Sequence, residues 1–88
     1  MKKEFQKIPN VGPKFAQDLI DLGFVDISEI KGQEPLVLYK KLEKLTRSRQ
    51  DPCVLDTFMA IVDYAQTGQN RPWFSFTAER KEIYKGKY

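Results

Sequence analysis

A short turn between two amphipathic stretches constrains the fold of this chain more than any other feature. Residues 9–13 read Pro-Asn-Val-Gly-Pro, and each proline removes a backbone N–H that a continuous helix would need. We therefore expect a short helix to end near Ile8 and a second helix to begin at Pro13. Apolar residues recur at helical spacing between positions 15 and 22, and Gly23 then provides a stop. The pattern predicts two short helices joined by a tight turn.

The rest of the chain has the same helical periodicity. Pro35 opens a helix that should end near Thr46. Asp51 as the N-cap and Pro52 at the first helical position open the longest helix, which Gly68 should stop. No stretch alternates apolar and polar residues over five or more positions, so no strand is predicted. The predicted fold class is all-α, a small compact bundle of about five short helices.

The region after the longest helix is rich in aromatic residues. Residues 71–76 read Arg-Pro-Trp-Phe-Ser-Phe, which is too short and too close to a proline for an α-helix. We expect an extended segment that packs across the bundle and buries its rings. Thr77 should cap a final helix that runs to about Tyr84. A frayed basic tail, residues 85–88, should follow.

Composition excludes several classes of protein. The chain has 88 residues, which suits one small domain spanning 1–88, and its net charge of +3 permits a polyanion partner without requiring one. The absence of histidine excludes the usual zinc sites and every histidine-based catalytic triad. A single cysteine excludes an internal disulfide, and no run approaches the roughly 20 apolar residues of a membrane span. We expect a cytoplasmic, non-enzymatic domain with no membrane contact and no small-molecule substrate.

The predicted turn has the parts of an anion-binding site. A tight turn that leads directly into a helix leaves several backbone N–H groups unpaired at the positive end of the helix dipole. Gly12 permits close approach of the backbone, and Lys14 adds a positive charge. We expect the amides of Val11 and Gly12, together with Lys14, to hold one or two phosphates. Asp18 and Asp21 lie on the same helix and would repel DNA if they faced it.

At these residues the sequence resembles the helix-hairpin-helix DNA-binding motif. The recurrent positions of that motif are occupied here by Ile8, Val11, Gly12, Ala16 and Leu19. Asn10 stands where the motif usually has its first glycine, and asparagine tolerates positive φ better than other non-glycine residues. The resemblance implies hairpin amides that bind DNA phosphates without reading base sequence. It also implies a monovalent cation held by hairpin carbonyls, and no other cofactor is expected.

Nearly the whole chain resembles a family of small bacterial proteins that carry pathogenicity-locus or mitomycin-resistance labels. Beyond the turn, the matching segments are Asp-Pro-Cys-Val-Leu-Asp at 51–56, Arg-Pro-Trp at 71–73, Thr77, and Glu-Arg-Lys at 79–81. The hairpin region is also similar to the C-terminal domain of the TfoX competence regulators. These resemblances imply association with DNA without defining a reaction.

Several features have two interpretations. Lys40 and Lys41 begin the densest basic stretch, which either contacts a second phosphate or forms a solvated helix face. Cys53 lies in the first turn of a helix and either packs as a small apolar residue or acts as a reactive thiol. The rings at 73–76 either fill the core or stack on nucleic-acid bases.

The sequence thus predicts a weak, sequence-independent DNA-binding module. The residues expected to contact DNA are Asn10, Val11, Gly12, Lys14, Lys40 and Lys41. With roughly two to four phosphates neutralised, the dissociation constant should be no better than the about 10⁻⁴ to 10⁻⁶ M of non-specific binding. The alternative is a protein-protein interaction module that uses the same hairpin as a scaffold.

Overall fold

Five α-helices form most of the structure, a computed structural model that describes residues 2–85. The helices are α1 (Lys2–Gln6), α2 (Pro13–Asp21), α3 (Pro35–Thr46), α4 (Pro52–Thr67) and α5 (Thr77–Ile83). Short 3₁₀ turns at Ile27–Glu29 and Trp73–Phe76 lie in two of the connections. Residues 2–85 contain no strand, so the predicted all-α class is confirmed. None of the helices in this range has the length and hydropathy needed to cross a bilayer.

Proline and glycine set the limits of the helices as the sequence predicts. Pro13, Pro35 and Pro52 lie at the start of their helices, where the missing N–H is not needed. Gly68 closes α4 with a φ of 76°, the left-handed conformation typical of a helix C-cap. Arg47 closes α3 in the same way with a φ of 54°, although it lacks the conformational freedom of glycine.

The core is built around α4, whose Leu55, Phe58 and Ile61 are completely buried. The buried residues packed with them come from α1 to α4 and from the connections between these helices. They are Phe5, Ile8, Val11, Ala16, Leu19, Ile30, Leu38, Tyr39, Leu42 and Val62. Phe76 joins Met59 and Ala60 of α4 in a smaller cluster. The radius of gyration, 12.0 Å, equals the value of about 12 Å typical of a compact chain of this length.

The aromatic segment after α4 differs from the prediction. The sequence predicts an extended segment with buried rings, whereas Trp73–Phe76 forms a 3₁₀ turn. Only Phe76 is buried, while Trp73 and Phe74 keep 38% and 63% of their surface exposed. A 3₁₀ turn needs only about three residues, so a four-residue segment that begins after a proline can form one. The predicted burial is therefore wrong for two of the three rings.

The start of α5 is also different, because Thr77 is its first residue rather than its cap. The Thr77 hydroxyl donates to Asp56 Oδ2 at 2.8 Å. Arg80 Nε donates to the other carboxylate oxygen, Asp56 Oδ1, at 2.6 Å, and both charged side chains are buried. This charged network attaches α5 to α4. Residues 86–88 of the predicted tail at 85–88 lie outside the part of the chain that the structure describes.

Candidate functional site

The turn between α1 and α2, residues 7–12, is anchored in the core by two apolar side chains. Ile8 and Val11 are 4% and 7% exposed, whereas Gly12 and Lys14 beyond them are exposed. The Val11 amide donates to Ile8 O at 3.2 Å across the turn. That hydrogen bond removes the Val11 amide from the donors predicted to bind phosphate, and it leaves Val11 with a packing role.

The first turn of α2 carries amide donors that the protein itself does not use. No side chain caps the helix, and its first backbone hydrogen bond runs from Ala16 N to Gly12 O at 2.9 Å. The amides of Gly12, Lys14 and Phe15 meet no acceptor within residues 2–85, and Pro13 has no N–H. These three donors lie at the positive end of the α2 dipole, where an anion is stabilised. The donor set is therefore shifted by a few residues from the predicted one.

Nothing in the protein requires glycine at position 12. Its φ of −91° and ψ of −177° are extended values that any residue adopts. A Cβ atom on Gly12 would have no protein atom within 4 Å. The missing side chain instead leaves the N-terminus of α2 open, so that a ligand can approach the backbone closely.

Lys14 is the cation nearest to these amides. Its side chain is 85% exposed, and its Nζ lies 3.5 Å from Asp18 Oδ2. Because the lysine end of this pair is exposed and its stem is flexible, the ammonium can also contact a second anion. The Asp18 side chain is only 12% exposed and paired with Lys14, which reduces the repulsion expected of it from the sequence.

The side chain of Asn10 connects the 7–12 turn to the distant segment 71–73. Its Nδ2 donates to Arg71 O at 2.8 Å, and its Oδ1 accepts a hydrogen bond from Trp73 N at 3.0 Å. We call these two bonds the Asn10 clamp. The clamp engages both polar atoms of the side chain, which gives Asn10 a role in holding the turn to this segment. The φ of 73° lies in the left-handed region, which asparagine tolerates better than other non-glycine residues.

The segment held by the clamp presents two exposed rings, Trp73 and Phe74, which we call the aromatic pair. Their centroids are 5.8 Å apart in an edge-to-face arrangement. Beneath them, the Arg71 guanidinium lies 3.9 Å from the Phe76 ring centroid and 2.8 Å from Glu79 Oε1. Arg71 therefore supports the turn and does not cover the aromatic pair.

The predicted basic stretch lies at the other end of α2. An open groove of about 450 Å³ is lined there by Asp21, Leu22, Lys41, Lys44, Leu45 and Arg47. Lys40 is exposed but does not line this groove. Since α2 has nine residues, the groove lies about 13 Å along the helix from the free amides. The structure does not bring the turn and the two predicted lysines into one pocket.

Cys53, the acidic side chains and the carbonyls of the 7–12 turn are further candidates for chemistry. Cys53 is exposed in the first turn of α4, so the interpretation that it packs as a small apolar residue is wrong. No group of three or more acidic or cysteine side chains that could hold a metal ion occurs in the described part of the chain. Between Ile8 and Gly12, whose carbonyls accept hydrogen bonds, those of Pro9, Asn10 and Val11 accept none from residues 2–85 and could face the monovalent cation that the hairpin resemblance implies. Phosphate binding by the α2 amides does not need that ion.

Comparison with known proteins gives one family match. Residues 1–82 match the family described as "Pathogenicity locus" (Cdd1). The chain is also 36% identical over 78 residues to the mitomycin resistance protein McrB of Streptomyces lavendulae. That alignment covers 89% of this chain and 74% of the Streptomyces protein. No solved structure has significant similarity to the chain.

Proposed function

The chain belongs to the pathogenicity-locus family, and from this premise we propose that it is a non-enzymatic, sequence-independent DNA-binding module. The region from α1 to α2 acts as a helix-hairpin-helix that grips a backbone phosphate. One observation carries the proposal: α2 begins with three unused amides behind a glycine that neither conformation nor packing explains. A cytoplasmic location stays a prediction from the sequence.

Phosphate binding follows from the geometry at the start of α2. A phosphate oxygen enters the open space at Gly12 and accepts hydrogen bonds from the amides of Gly12, Lys14 and Phe15. The exposed Lys14 ammonium contacts the phosphate while it remains near Asp18, so that the carboxylate stays neutralised. All of these contacts are to the sugar-phosphate backbone, so base sequence is not read.

The basic groove supplies a second contact with the same backbone. Lys41, Lys44 and Arg47 form no ion pair with a residue in the range 2–85, so their charges are available to a polyanion. Lys40 is an exposed cation on the same helix. Asp21 lies in the groove and partly offsets these charges, which is consistent with weak binding. Two separated contacts predict an affinity that decreases steeply with salt.

An NMR titration with short duplex DNA at low and moderate salt tests the proposal. Amide shifts should cluster at residues 10–15, and Lys14→Glu should abolish them. Lys31→Glu is the matched control, because Lys31 is also exposed, lies outside the α-helices, and gives the same change in net charge. An equal loss of binding in the two variants would indicate general charge attraction rather than a site. Absence of any shift at low salt would refute DNA binding.

A protein-interaction module is the second candidate, and the exposure of the aromatic pair favours it. Aromatic residues are enriched at protein interfaces, and tryptophan is among the residues that most often contribute a large share of the binding energy. In this function the hairpin is a scaffold, and the aromatic pair is the contact surface. This candidate predicts that no DNA titrates the α2 amides, even at low salt.

A further inference from the structure

Two large aromatic rings lie in water beside the proposed phosphate site. Trp73 is 38% exposed and Phe74 is 63% exposed. Burial of such rings is among the largest stabilising contributions available to a small domain. Exposed rings in contact with each other therefore mark a binding surface rather than a packing surface.

The Asn10 clamp sets the distance between the rings and the α2 amides. Trp73 N is bound to the Asn10 side chain at 3.0 Å. Gly12 follows Asn10 by two residues, a span of at most about 7 Å along an extended chain. A DNA strand whose phosphate lies at Gly12 therefore places its neighbouring nucleotides within reach of the aromatic pair.

The chemistry of the pair selects the kind of DNA. Resting on the proposed phosphate site, we propose that Trp73 and Phe74 stack on unpaired bases, so that the module prefers single-stranded DNA to duplex. Ring stacking is tolerant of sequence because every base has a flat face. In a duplex these faces are covered by neighbouring base pairs, so the rings cannot stack on them. Arg71, held by Phe76 and Glu79, keeps the turn in place without competing for the rings.

Three DNA ligands of equal length separate base stacking from phosphate binding. They are an oligothymidine single strand, the matching duplex, and a single strand with abasic sites. The fluorescence anisotropy of labelled DNA gives the affinity, and the emission of Trp73, the single tryptophan of the chain, reports contact with a base. We expect the intact single strand to bind most tightly, about tenfold more tightly than the abasic strand, and to quench Trp73.

Variants of the exposed ring distinguish a direct contact from a general effect. Phe74→Ala should weaken single-strand binding about tenfold and change duplex binding less than twofold, while Phe74→Tyr should retain binding. Ile83→Ala is the matched control, since Ile83 is an apolar residue of similar exposure, 59%, on α5. Circular dichroism confirms that each variant is folded.

The possible results separate this inference from the proposed function. Equal affinity for single strand and duplex, or for intact and abasic strands, would overturn the inference while phosphate binding stands. An unaffected single-strand affinity in Phe74→Ala would also overturn it. If no DNA binds at low salt, both the proposed function and the inference are refuted.

Discussion

Replacing Gly12 by serine should separate folding from ligand binding at the start of α2. Gly12 is the N-cap residue in an extended conformation, with no side chain to cap the helix. Serine adopts the same φ and ψ without strain, and its Cβ would meet no atom within 4 Å. A serine hydroxyl at an N-cap accepts a hydrogen bond from the second or third helical amide, which belong here to Lys14 and Phe15.

Two effects on the free energy of unfolding add in this variant. Serine is a better N-cap than glycine by a few tenths of a kcal/mol. Loss of the glycine freedom in the unfolded chain contributes about 0.4–1 kcal/mol more. We therefore expect Gly12→Ser to stabilise the domain by about 1 kcal/mol, which corresponds to a rise in Tm of about 4–8 °C.

DNA affinity should change in the opposite direction, because the hydroxyl occupies the amides that a phosphate needs. A hydrogen bond to a charged group contributes about 1.5–3 kcal/mol, so the loss of one such bond should weaken binding at least about tenfold. Thermal unfolding followed by circular dichroism and the anisotropy of labelled DNA measure the two effects. Gly12→Ala, which adds a methyl group but no acceptor, measures the steric part alone.

The outcome that refutes the reasoning is a Gly12→Ser variant that gains stability and keeps its full DNA affinity. In that case the α2 amides do not bind phosphate. A loss of stability would instead contradict the open N-cap geometry from which both effects are derived.

Three other changes test the scaffold around the site. Asn10→Ala should lower the free energy of unfolding by about 2–3 kcal/mol, because two hydrogen bonds are lost and alanine is strained at a φ of 73°. In urea titrations, Asn10→Gly should lose less of this free energy, since glycine is not strained at that φ. Asp56→Ala should lose about 3–5 kcal/mol by the same measurement, since the buried Arg80 guanidinium loses this carboxylate, and a loss under about 1 kcal/mol would contradict the ion pair. Burial and the hydrogen bond to Glu34 raise the pKa of Tyr84 from 10.0 to about 12. The neutral phenol therefore stabilises the fold fully below pH 10, and this contribution to the free energy of unfolding is lost between pH 10 and 12. Tyr84→Phe should remove that part of the alkaline decline, and an identical pH profile in the two proteins would count against it.

The limits of the helices could be predicted from the sequence because the residues that set them act locally. Pro13, Pro35 and Pro52 lack an N–H, and that property is independent of the rest of the fold. Gly68 closes α4 because its own φ is free to be positive. The apolar spacing of α2 likewise predicts which of its faces packs on the core, and Ala16 and Leu19 are completely buried.

The details of the candidate site depend on contacts between distant residues, which local patterns do not contain. Asn10 was predicted as a ligand contact, yet its side chain binds residues 71–73. The exposure of Trp73 and Phe74 follows from that same contact, because the turn is held with only Phe76 directed into the core. The hydrogen bond that occupies the Val11 amide lies within the turn, but its presence depends on the turn conformation rather than on composition. A polar side chain at a left-handed turn position was the signal that could have suggested the clamp.

The Asn10 clamp also has a consequence for how the chain reaches its folded state during synthesis. Its two hydrogen bonds join residues separated by 61 and 63 positions, so they close a loop that contains α2, α3 and α4. Closing so long a loop requires the intervening helices to be in place, because the entropy of the open chain opposes it. A nascent chain that has emerged only as far as α4 therefore has the turn but not the clamp. The closing of this single loop therefore adds the aromatic pair to a turn that has already formed, and the proposed DNA surface is completed late in translation.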